Sequence, residues 1–140
     1  MSASDALVAL LIQHEGEKLH PYRCTAGKLT IGVGRNLDDK GISIKESRFL
    51  LQNDLEDAER DARTFCVEFG YLLPARQAVL IDMAFNLGLG GLLNFKKFQK
   101  ALDRKDFDAA SKEMLDSAWA KQVGQRAQTL STMMRTGSFK

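Results

Sequence analysis

The sequence predicts an α+β domain that is mostly helical: a small β-hairpin lobe, one long helix, and a helical lobe, with a cleft between the lobes. Three observations predict it. Residues 19–33 alternate in character and are punctuated by glycines, as hairpin strands and their turns are. Ser43-Ile44-Lys45-Glu46 has the pattern of a capping box, the strongest local helix start in the chain, with Phe49, Leu51, Leu55, Ala58 and Ala62 following at helical spacing. Beyond it, Pro74 suits the first turn of another helix and Gly88 suits its end.

The elements follow in order. Ser4 to His14 is expected as a short helix with Leu7, Leu10 and Leu11 on one side. The apolar run Ala6–Ile12 is read as its buried face. Seven residues fall far short of the roughly 20 that span a membrane, so no stable membrane insertion is expected. No Lys or Arg precedes the run and no small-residue cleavage site follows it, so a secretory signal is not expected. Tyr22 marks a first strand, Thr25-Ala26-Gly27-Lys28 a turn, and Leu29-Thr30-Ile31 a second strand leading to Gly32 and Gly34. The long helix is expected to reach about Phe65. Gly88, Gly90 and Gly91 make a sharp corner before Phe95, and two or three more helices fill residues 95–135. With no repeat, low-complexity tract or linker, residues 1–140 read as a single domain. Its hairpin lobe covers about 15–42, and its helical lobe about 66–140 plus the N-terminal helix.

Composition narrows the function classes. An apolar fraction of 44% in 140 residues is enough to bury a core. Twenty basic against eighteen acidic residues, spread among one another, give no basic face for nucleic acid. Two cysteines make neither a disulfide framework nor a metal quartet, and suit a reducing cytoplasm. Cys66, in the apolar FCVEF, reads as an unpaired core thiol, and a Cys24–Cys66 bond is not expected. His14 and His20 read as surface histidines, so no metal is expected. Gly32-Val33-Gly34 lacks the third glycine of a dinucleotide loop and no βαβ pattern surrounds it, so no cofactor is expected either. Its glycines better suit tight turns and the close approach of a sugar.

Chemistry concentrates in HEGEKLHPYRCTAGKLTIGVG, where Glu15, eight residues, Cys24, five residues and Thr30 follow one another. The acid stands at a helix end, facing two smaller groups on a hairpin. A proton donor opposite a water-holding or nucleophilic group is the minimum equipment for glycosidic hydrolysis. Blander readings compete on pattern alone. Glu15 could be a solvated carboxylate at a helix C-terminus, where negative charge is mildly unfavourable. Cys24 could be an inert small hydrophobe.

That run, with TIGVG around the threonine, closely resembles the phage-type lysozymes of glycoside hydrolase family 24, whose triad is Glu, then Asp or Cys, then Thr at these intervals. RQAVLIDMAFNLGLGGLLNF (76–95) resembles the family's buried central helix and the turn after it. SAWAKQVGQRAQTLSTMMRTG (117–137) is similar to its C-terminal helices. The likeness runs from about residue 4 to 137. It departs from the family at Arg35, where histidine is common, and in the short segment Asn36 to Ile42.

The resemblance implies a lysozyme-like fold and an endolysin that cleaves the β-1,4 bond between N-acetylmuramic acid and N-acetylglucosamine. Peptidoglycan is then the substrate, and the enzyme is a monomer without metal or cofactor. It would be made in the host cytoplasm and released to the wall through a separate holin-type pore. Glu15 becomes the general acid, with Cys24 and Thr30 positioning water or stabilising the transition state. Arg126 pairs with and orients Glu15, while Gly32, Phe85 and Asn86 face substrate; Trp119 is a packed anchor. Three alternatives stay open: a lytic transglycosylase on a similar fold, a non-catalytic wall-binding protein, and a small helical nucleic-acid-binding protein.

Overall fold

Ser2 opens the first helix. Its hydroxyl accepts the Asp5 amide at 3.1 Å while the Asp5 carboxylate accepts the Ser2 amide at 3.2 Å, a reciprocal cap that begins α1 (Ala3–Glu15) one residue before the expected Ser4. The computed structural model describes residues 2–140 and divides the chain into two compact units, Met1–Phe49 and Leu50–Lys140. The N-terminal helix groups with the hairpin, whereas the sequence placed it with the helical lobe.

In the first unit, α1 is followed by β1 (Lys18–Arg23), β2 (Leu29–Gly32) and β3 (Arg35–Asn36), antiparallel in the order β1-β2-β3. Tyr22 pairs with Thr30 and Arg23 with Leu29, but Lys18 pairs with Gly32, so β1 bulges between Lys18 and Tyr22. Pro21 lies within that bulge, where its missing N–H costs no ladder hydrogen bond. The expected hairpin is present. The third strand was not expected, because two residues carry no readable alternation. Asp38 secures the turn from the side, accepting the Leu29 amide at 2.7 Å and the Arg23 guanidinium at 3.3 Å.

The expected burial of α1 is corrected. Leu7, Leu10 and Leu11 are 53%, 45% and 44% exposed, and no residue of the helix is buried. A three-stranded sheet with short strands offers too little apolar surface to cover them within so small a unit.

Helix α2 (Ile44–Phe65) starts at the expected box: Ser43 Oγ accepts the Glu46 amide at 3.1 Å and Glu46 Oε1 accepts the Ser43 amide at 2.8 Å. Its apolar stripe is buried only toward the C-terminus, at Ala58, Ala62 and Phe65, while Phe49, Leu51 and Leu55 stay exposed.

The second unit continues with a 3₁₀ turn (Phe69–Tyr71) and then α3 (Pro74–Leu93), α4 (Lys96–Asp103), α5 (Phe107–Leu115), α6 (Ala118–Val123) and α7 (Gln125–Thr136). Four helices stand where two or three were expected after residue 95, because the breaks between them are only one to three residues long. Ser117 caps α6 by accepting the Ala120 amide, and Gly124 separates α6 from α7. Pro74 lies in the first turn of α3 as expected. Gly88, at φ +70°, kinks that helix, and Gly90 and Gly91 continue it as a last turn rather than forming a corner.

The core belongs to this unit. Phe65 stacks on Phe98 with ring centroids 5.9 Å apart, and Phe95 meets Trp119 edge-on at 6.1 Å. Met83, Leu92, Met114 and Met134 close around them. The result is the expected α+β, mostly helical fold. Among the described residues, no single helix is long and apolar enough to cross a membrane.

Candidate active site

Cys24 sits where β1 turns toward β2. Its amide donates to the Lys28 carbonyl at 3.0 Å and its carbonyl accepts the Gly27 amide at 2.8 Å, so the turn is closed on both sides. Cys24 is half-buried, and the backbone of Lys28 and Ala26, followed by the Thr30 side chain, holds its thiol below its ordinary range.

Thr30, on β2 opposite Tyr22, is 4% exposed. Its one hydroxyl proton goes to the Lys28 carbonyl, which Oγ1 meets at 2.9 Å. The oxygen's lone pairs then stay free to accept a proton from another partner.

Glu15 is the last residue of α1, and Gly16 at φ +75° ends the helix behind it. Its exposed carboxylate lies against Gly34, in the turn between β2 and β3: a Cβ at that glycine would stand 2.9 Å from Glu15 Oε2. Gly32, at the other end of the same turn, has open space where a side chain would be.

Arg35, the departure noted in the sequence, binds Glu46 through both terminal nitrogens, at 2.8 and 2.7 Å, and gives a further hydrogen bond to the Gly41 carbonyl at 3.2 Å. The guanidinium first, and then the Ser43 amide and hydroxyl, pull the Glu46 carboxyl down to about 2. This pair ties β3 to the first turn of α2. Sequence reading found the capping role of Glu46 but not its partner, since the spacing from Arg35 follows no helical or strand period.

The remaining expected residues lie in the helical unit. Arg126, which the resemblance paired with Glu15, is engaged there by Asp82, whose Oδ1 accepts from its Nε at 2.8 Å and also from Nη2. The two stand 44 residues apart, on α7 and α3, so only the fold could pair them. They line a surface cavity of about 430 Å³ with Leu51, Leu55, Ala78, Ile81 and Phe85. Phe85 is 45% exposed. Asn86 Oδ1 accepts the Trp119 indole at 2.9 Å, and Trp119 is the buried anchor that the sequence suggested. Cys66 is buried, which raises its thiol, and both cysteines are free. Among the described residues, no cluster of three or more His, Cys, Asp or Glu side chains could hold a metal ion.

Comparison with known proteins gives the family. The phage lysozyme family model matches residues 12–135, a span that holds every candidate side chain named above. Probable T4-type lysozyme 1 of Dictyostelium discoideum is 29% identical to the chain, over 93% of it and 94% of the relative. Probable T4-type lysozyme 2 of the same organism is 26% identical, over 96% of each. The pre-baseplate central spike protein of Enterobacteria phage T4 is also 26% identical, over 96% of this chain but only 28% of its own length. The chain therefore belongs to the phage lysozyme family and is a lysozyme, a hydrolase.

Proposed function

We propose that this lysozyme is an endolysin-type muramidase that hydrolyses the β-1,4 bond between N-acetylmuramic acid and N-acetylglucosamine in peptidoglycan. The observation that carries the reading is one hairpin that holds Cys24 at the end of its first strand and the buried Thr30 on its second, and whose following turn receives the Glu15 carboxylate. Glu15 gives its proton to the departing glycosidic oxygen. A water held by the Thr30 lone pairs attacks the anomeric carbon as that bond breaks, and the water's proton passes to the Cys24 sulfur. An exposed carboxyl becomes an effective acid when the sugar covers it, because desolvation favours the protonated form. Attack by a water on the face opposite the acid inverts the anomeric centre.

Glu15→Gln keeps the shape and removes the transferable proton. General acid catalysis contributes about 10²–10⁴-fold, so clearing of outer-membrane-permeabilised Gram-negative cells should slow by about 100-fold or more. Lysis at the wild-type rate by that variant overturns the mechanism. Mass spectrometry of the digest separates the transglycosylase alternative. Hydrolysis leaves reducing muramic acid ends, whereas transglycosylation leaves 1,6-anhydro ends, lighter by one water.

A further inference from the structure

Glycines at positive φ are common in the first unit, and most have empty space beside them. Gly27, Gly32 and Gly41 would each meet nothing within 4 Å if they carried a Cβ. Gly34 differs. A Cβ there would stand 2.9 Å from Glu15 Oε2, 3.3 Å from its Cδ and 3.5 Å from its Cγ. The end of the side chain that closes α1 thus rests on the bare Cα of the β2–β3 turn. Within the first unit, no hydrogen bond or ion pair among the described residues holds this carboxylate. The side chain has three rotatable bonds, and within the first unit contact with the turn orients it.

We propose that Gly34 is a positioning residue for the proton donor: its missing side chain forms the seat that sets where the Glu15 carboxyl delivers its proton. The inference rests on Glu15 being the acid. It assigns Gly34 a task distinct from turning the chain, since turning alone would leave the open space found at Gly41. A methyl group at position 34 pushes on the far end of a flexible side chain, so the carboxylate moves and the fold stays. A misplacement near 1 Å costs on the order of 10²-fold in rate.

Gly41→Ala is the matched control. Its φ of +63° is close to the +68° of Gly34, so both variants carry a similar backbone strain, and Gly41 lies outside the proposed site. The two should lose similar amounts of Tm. On solubilised peptidoglycan, Gly34→Ala should lose about 10²-fold in kcat with KM unchanged, while Gly41→Ala keeps its kcat. Equal kcat in the two variants, or a loss confined to KM, overturns the seat.

Glu15→Gln, measured alongside, separates the two levels of the argument. Wild-type kcat in Glu15→Gln removes the acid itself, whereas an inactive Glu15→Gln with a fully active Gly34→Ala removes only the seat. The wild-type protein supplies a check that does not depend on any variant folding. Nuclear Overhauser cross-peaks between the Gly34 Hα and Glu15 Hγ protons are expected, and their absence overturns the proposal.

Discussion

The two units of this lysozyme are built on different terms. Among the described residues, every buried apolar side chain belongs to Leu50–Lys140, where aromatic rings and methionines close around α3. Among the described residues of Met1–Phe49, the one buried residue is Thr30, which is polar and part of the proposed site. The first unit is held instead by reciprocal helix caps, by Asp38 against the β1–β2 turn, and by Arg35 against Glu46. Such contacts are directional, and each is worth little alone. They suit a scaffold that must fix a few atoms rather than supply cohesion. Stability and chemistry should therefore respond to different substitutions.

The largest expected effect tests the cohesive side. Phe98 is fully buried between Phe65 and Phe95. Phe98→Ala should cost about 3–5 kcal/mol by leaving a cavity. Denaturant unfolding measures that cost, while kcat per folded molecule should stay near wild type. A fall in kcat of the folded fraction comparable to that of a site variant would break the comparison.

Cys24 tests the chemical side. A hydrogen bond to a charged group is worth roughly 1.5–3 kcal/mol, so Cys24→Ala should lose about 10–100-fold in activity, with little change in Tm. Cys24→Asp should keep substantial activity, since aspartate supplies the negative charge without depending on a lowered thiol. Iodoacetamide should modify Cys24 well before Cys66, because donors hold the first thiol down while burial raises the second. Tolerance of alanine together with loss of stability in Cys24→Asp would mark a packed strand cysteine, because a buried unpaired charge is costly.

Thr30→Val is milder and cleaner, because valine keeps the shape. The Lys28 carbonyl stays satisfied by the Cys24 amide at 3.0 Å, so stability should barely change. Losing one hydrogen bond to water, roughly 1–1.5 kcal/mol, predicts about a 10-fold lower kcat. An unchanged kcat would leave Thr30 a purely structural part of the turn.

What the sequence disclosed follows the same division. Features that act over a few residues were readable: the Ser43–Glu46 box, Pro74 at a helix start, and the turn between Cys24 and Lys28. Short breaks were harder, as in the single glycine between α6 and α7 and the two-residue β3. The line of Glu15, Cys24 and Thr30 stood out because one segment carries all three. Arg126 with Asp82, Arg35 with Glu46, and Glu15 with Gly34 were not readable, since each pair is made by tertiary placement. The apolar stripe of α1 misled because helical periodicity says which side is apolar, not whether anything covers it.

The smallest expected effect concerns the joint between β3 and α2. Glu46→Gln retains an oxygen that can accept the Ser43 amide, so the cap survives and only the charge facing Arg35 is lost. Tm should fall slightly at pH 7. The pH window fixes the cause. A carboxyl held at about 2 in the folded protein and near 4.3 in the unfolded chain stabilises the fold above the unfolded value. That contribution declines as pH drops below about 4 and disappears as pH passes through the folded value. The Tm difference between wild type and Glu46→Gln should thus be constant from pH 7 to 5, narrow below about pH 4, and be lost near pH 2. Salt near 1 M should shrink the plateau, because the pair is partly exposed and screened. A difference that is flat across the whole range would assign the effect to the cap geometry instead, leaving Arg35 without an electrostatic part in holding the hairpin to its helix.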